Sequence, residues 1–230
     1  MNIFLWRLIT TILLLSIPLI TTQWLYRRYG VSVVLMSVGA ITFVGAFVAQ
    51  TIFLSLLPVG LLSIPLAGGV AVGLTTSFTE IVAVFIGFQY LAKATTTRPQ
   101  AVMIGIGHAI LPTLFVALTL TLTMIGQIGE GSLTDTAGAE IIAEPVVNLA
   151  PLAMHASISW LVLQTFLRNE AKWLFYGIFA IALTVGTDAF IREAAYDPDL
   201  ILAGWWLMAA VGFMFLLLVI DRPTGLSIKN

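Results

Sequence analysis

Four side chains in this sequence have types suited to chemistry and lie in otherwise apolar surroundings. They are Glu80, His108, His155 and Asp188. Glu80 stands in "GLTTSFTEIVAVFIGF", a stretch with one acid and no base. A carboxylate there needs neutralising by a proton, by an imidazole or by a metal ion. One carboxylate and two imidazoles are also a ligand set for a zinc-class cation with an open fourth position, so Glu80, His108 and His155 form a candidate metal group. The competing readings are a buried polar network that only pins helices together and a transport pathway in which Glu80 titrates.

These residues can meet only if their helices bring them to one depth. The chain has 230 residues, of which 60% are hydrophobic and 9% charged. Soluble domains carry about 25% charged residues. Mean hydropathy is +1.06. The composition therefore implies an all-α polytopic membrane protein, read as one transmembrane domain over residues 1–230. Ten scattered Lys and Arg make no basic face, so nucleic-acid binding is excluded. There is no cysteine, which excludes disulfides and thiolate sites. The apolar N-terminus lacks a small-x-small cleavage site and is expected to stay as the first helix.

About 20 apolar residues cross a bilayer core, and seven segments qualify: 4–26, 33–57, 67–92, 100–126, 150–167, 171–191 and 201–220. They are separated by "YRRYG", "PVGLLSIP", "KATTTRP", the acidic stretch "GQIGEGSLTDTAGAEIIAEP" read as a loop, the tight turn "RNEAK", and "REAAYDPDL". Orientation follows the basic residues. With the N-terminus outside and the C-terminus cytoplasmic, Arg27, Arg28, Lys93, Arg98, Arg168, Lys172, Arg222 and Lys229 fall inside. Only Arg7 and Arg192 fall outside, and the acidic stretch with Glu130, Asp135, Glu140 and Glu144 lies there too. Trp205 and Trp206 then open the last helix at the outer interface.

Depth follows from a rise of about 1.5 Å per residue. Counted from the cytoplasmic ends, Glu80 and His155 lie roughly 18 Å in, Thr184 roughly 20 Å, His108 roughly 12 Å and Asp188 roughly 25 Å. Glu80, His155 and Thr184 are thus expected at one level, bracketed by His108 and Asp188. Ser77, Thr76, Gly73 and Gly69 share a stripe with Glu80, and His155 shares a face with Ser159. Gln50, Gln89 and Gln164 are expected to make interhelical hydrogen bonds.

Several stretches resemble the YhfC-like family of intramembrane metalloproteases, a group similar to the CAAX-processing and PrsW proteases. "IPLITTQWLYRRYGVS" with "GAITFVGAFVAQ" resembles the family's first two helices, and "GLTTSFTEIVAVFIGFQYL" its paired-glutamate helix. "AVMIGIGHAI", "LAPLAMHASISWLVL" and "IALTVGTDAF" resemble the helices that carry its histidines and final acid. The resemblance implies that Glu80 is the second glutamate, His108 and His155 the motif histidines and Asp188 the final acid. In an active member these would be catalytic, with zinc as cofactor. The chain departs from that pattern at four positions, where Thr79, Ala83, Pro112 and Thr184 replace a glutamate, an arginine, an acid and a histidine. The resulting expectation is a degenerate, non-catalytic pseudo-protease without a cofactor, serving as a subunit or scaffold for a membrane-protein partner in the lipid bilayer. The alternatives are a divergent intramembrane metalloprotease and a small ion-coupled permease.

Overall fold

The computed structural model describes residues 3–130 and 139–194, together with Ala210. Among these residues the chain is all-helical. Its elements are α1 (Ile3–Tyr29), α2 (Val34–Ser55), a short α3 (Val59–Leu62), α4 (Pro65–Ile86), α5 (Arg98–Glu130), α6 (Ala139–Arg168) and α7 (Lys172–Ala194). A π-helical turn, Gly87–Leu91, extends α4. Six helices are long and apolar enough to cross a membrane. The expected seventh span, 201–220, lies outside the described residues.

The helix ends have local causes. Gly30, at φ 65°, ends α1 and donates its N–H to the Tyr26 carbonyl at 3.0 Å. Pro65 opens α4 at its first helical position, where a missing N–H costs nothing. Asn169, at φ 53°, makes the turn between α6 and α7. In that turn Lys172 lies 2.8 Å from Glu170 Oε2, and the Trp173 indole donates to the same oxygen at 3.0 Å. The hydrogen bond from Lys172 holds the Glu170 carboxyl below the usual carboxylate range.

Two expected connections differ. "PVGLLSIP" contains the helical turn α3. In the acidic stretch α5 continues to Glu130 and α6 already begins at Ala139, and residues 131–138 lie outside the described residues. Ala, Glu and Ile in "AEIIAE" favour a helix over a coil, and polarity alone does not distinguish the two.

Burial is inverted relative to a soluble domain. Leu19, Ile20, Phe115, Phe175 and Phe179 are each about 60% exposed or more. Thr10, Ser77, His108, Ser157 and Ser159 are fully buried. Large apolar residues outside and polar residues inside suit a lipid surround. The core between α4, α5, α6 and α7 holds Ile81, Val84, Ile104, Ile158, Val162 and Ile181.

Glycines set the closest helix approaches. A Cβ at Gly39 of α2 would meet the Ile104 carbonyl and the His108 N of α5. One at Gly107 of α5 would meet the backbone of Met36 on α2. Gly105 faces the His155 carbonyl of α6, and Gly73 faces Ala182 and Gly186 of α7. Small residues at such positions allow backbones to touch, which is the main source of helix association in lipid.

Candidate metal centre

Glu80 sits on the buried stripe of α4, whose Gly69, Gly73, Thr76 and Ser77 are all buried. Thr76 accepts a hydrogen bond from Gln50 of α2 at 2.8 Å, which makes Gln50 an interhelical bridge. Gln164 differs from expectation. It accepts from Arg168, four residues along its own helix.

The glycine contacts bring α5 against both α2 and α6, and with them His108 towards His155. The two imidazole centroids are 4.8 Å apart. His155 Nδ1 lies 3.8 Å from Glu80 Oε2. One ligand atom from each of Glu80, His108 and His155 falls within 4.8 Å of the others. His108 is completely buried, His155 is 7% exposed and the Glu80 side chain 12%.

The polar atoms of the cluster are incompletely satisfied. Glu80 Oε2 and His108 Nε2 are buried without a hydrogen-bond partner. Leaving such an atom unpaired costs about 1–3 kcal/mol each. A separation of 3.8 Å is longer than a direct Glu80–His155 hydrogen bond as the side chains stand. Two ligands bound at about 2.1 Å to one tetrahedral ion stand about 3.4 Å apart. The separations here, 3.8 Å for one pair and at most 4.8 Å for any, exceed that value by about 0.4 to 1.4 Å, which side-chain rotation would have to close. The donor set, one carboxylate with two imidazoles, also matches a zinc-class site.

The surroundings of His108 are specific. Thr42 Oγ1 of α2 is 2.9 Å from His108 Nδ1, and it donates to the Gly39 carbonyl at 2.7 Å. Phe43 presents an edge-on ring to the imidazole, with centroids 5.6 Å apart. Sequence reasoning missed Thr42 because it searched the helices for ionisable groups.

The structure does not bring Asp188 into the cluster. Gly177 of α7 faces Ile81, next to Glu80, whereas Gly186 faces Gly69 and Gly73. Thr184 and Asp188 flank Gly186, seven or more residues from Glu80 along α4, or about 10 Å and beyond. The glycine contacts fix the register of α7 on α4, while on α6 Thr184 meets Met154, the residue before His155. Thr184 touches Met154 Sδ at 3.4 Å and bonds back to its own helix. Thr79 also bonds back, to the carbonyls of Thr75 and Thr76. A cavity of about 290 Å³ opens beside the π-helical turn between Phe88, Lys93 and Phe166, and the three cluster residues do not line it.

No protein-family model, curated protein or solved structure matches the chain.

Proposed function

We propose that the chain is an integral, multi-pass membrane protein of seven spans, with the N-terminus outside and the C-terminus cytoplasmic. In this reading it holds a zinc-class cation between Glu80, His108 and His155 and hydrolyses peptide bonds within the bilayer. The observation that carries the proposal is the convergence of two buried, unpartnered atoms, Glu80 Oε2 and His108 Nε2, with His155 beside them. A bound cation would supply a Lewis acid and lower the pKa of a water to about 7. Glu80 would offset its charge, and the imidazoles of His108 on α5 and His155 on α6 would be the two nitrogen ligands. The apolar helix faces around the cluster keep bulk water away, which strengthens each electrostatic interaction inside. The family resemblance supports a peptide bond as the scissile group.

A specific observation favours a second reading, the non-catalytic subunit that binds another membrane protein. Thr79 is turned back on its own helix and Asp188 stands apart, so the cluster contains a single carboxylate. If that carboxylate ligates the cation, it does not serve as a general base. Purification without chelator, followed by metal analysis and a cleavage assay on membrane peptides in vesicles, separates the readings. Stoichiometric zinc with cleavage that Glu80→Gln abolishes supports the protease. Stoichiometric zinc without cleavage supports the subunit. A protein free of bound metal refutes the centre itself.

A further inference from the structure

We infer that Thr42 is a positioning residue for the metal centre. It selects the His108 tautomer that presents Nε2 as a lone pair to the cluster. The inference rests on the metal-binding reading above and extends it to a residue on a helix that supplies no ligand.

The argument begins with proton counting. The Thr42 hydroxyl has one hydrogen. That hydrogen goes to the Gly39 carbonyl at 2.7 Å, and a carbonyl oxygen can only accept. The contact of 2.9 Å between Thr42 Oγ1 and His108 Nδ1 is then a bond in which Nδ1–H donates and the hydroxyl accepts. A neutral imidazole with its proton on Nδ1 carries a lone pair on Nε2. Nε2 is the buried nitrogen with no hydrogen-bond partner. The arrangement prepares His108 as a ligand before any cation arrives.

Packing makes the selection rigid. The Thr42 side chain is 4% exposed. A Cβ added at Gly87, where the π-helical turn begins, would come within 2.5 Å of the Thr42 methyl, so that methyl lies tight against α4's extension. Thr42 is thereby clamped at both branches, with its methyl on Gly87 and its hydroxyl between Gly39 and His108. The close contact of Gly39 and Gly107 across α2 and α5 holds the two helices at the separation this bond requires. Hydrogen-bond partners of this kind orient metal-ligating histidines, and their loss costs about 10–100-fold in metal affinity.

The test uses the full chain in detergent, titrated with zinc alone against a chromophoric chelator. Thr42→Val keeps the methyl and the volume but removes the hydroxyl. Thr42→Ser keeps the hydroxyl and removes the methyl. Thr42→Val should weaken zinc binding about 10–100-fold, and Thr42→Ser should stay close to wild type. Nitrogen NMR of the apo protein gives a readout independent of both zinc and the variants, and should show His108 protonated on Nδ1. Equal zinc affinity for wild type and Thr42→Val overturns the inference while leaving the centre standing. So does a proton on Nε2, or an equal loss in Thr42→Ser and Thr42→Val. A wild-type protein that binds no zinc brings down the centre and, with it, this role for Thr42.

Discussion

Gly39→Ala is a demanding test of how this bundle builds its centre. The added Cβ would stand 2.6 Å from the His108 backbone N and closer still to the Ile104 carbonyl. Against the 3.4 Å of an ordinary contact, the first falls short by about 0.8 Å. Both obstacles are backbone atoms in the middle of α5, so neither can rotate away. The closer Ile104 carbonyl governs, so the helices must part by well over about 1 Å, at a cost of about 1–3 kcal/mol or more for an overpacked core. The same movement stretches the Thr42–His108 bond from 2.9 Å towards about 4 Å, beyond hydrogen-bonding reach. Two measurements follow, unfolding in detergent and zinc affinity. Both should decline together, affinity by about 10-fold or more. A Gly39→Ala protein with the unfolding midpoint and zinc affinity of the wild type would refute the claim that direct backbone contact between α2 and α5 sets the geometry of His108.

Four other outcomes are expected. Glu80→Gln should abolish stoichiometric zinc by metal analysis while leaving the apo protein as stable as wild type, because it removes an unpaired buried carboxylate without changing volume. Zinc should be released on acidification and retained at neutral and higher pH, since protons compete with the cation for His108 and His155; equilibrium dialysis across a pH series measures this. Asp188→Asn should leave zinc affinity within about 3-fold of wild type, a change too small for the loss of a ligand or of its supporting partner. The absence of native cysteine permits single-cysteine labelling, and Arg28→Cys in intact cells should be protected from an impermeant reagent, whereas labelling from outside would reverse the orientation.

Glu80, His108 and His155 were legible as a group because ionisable side chains are conspicuous in apolar helices. Counting depth served Glu80 and His155, which the structure places side by side. The register of α7 on α4 depends on Gly69, Gly73 and Gly186 meeting across two helices. Helix periodicity within one segment carries no information about that alignment. Thr42 was illegible for a different reason. A hydroxyl in an apolar helix usually bonds its own preceding turn, as Thr51 and Thr119 do here. Only the partner brought by α5 distinguishes Thr42 from them. The two flanks of the acidic stretch are helical, to Glu130 and from Ala139, because composition reports solvent preference better than backbone conformation.

The cluster draws on α4, α5 and α6, with α2 supporting it, and this fixes an order of events during synthesis. The ribosome delivers Thr42 first, Glu80 next, His108 third and His155 last. Until the sixth helix leaves the translocation machinery, the nascent bundle holds a carboxylate and one imidazole with no third group to complete the set. On the proposed metal-binding reading, loading with a cation belongs after the arrival of α6, and a chain arrested before residue 148 would carry an unfinished polar core for quality control to detect.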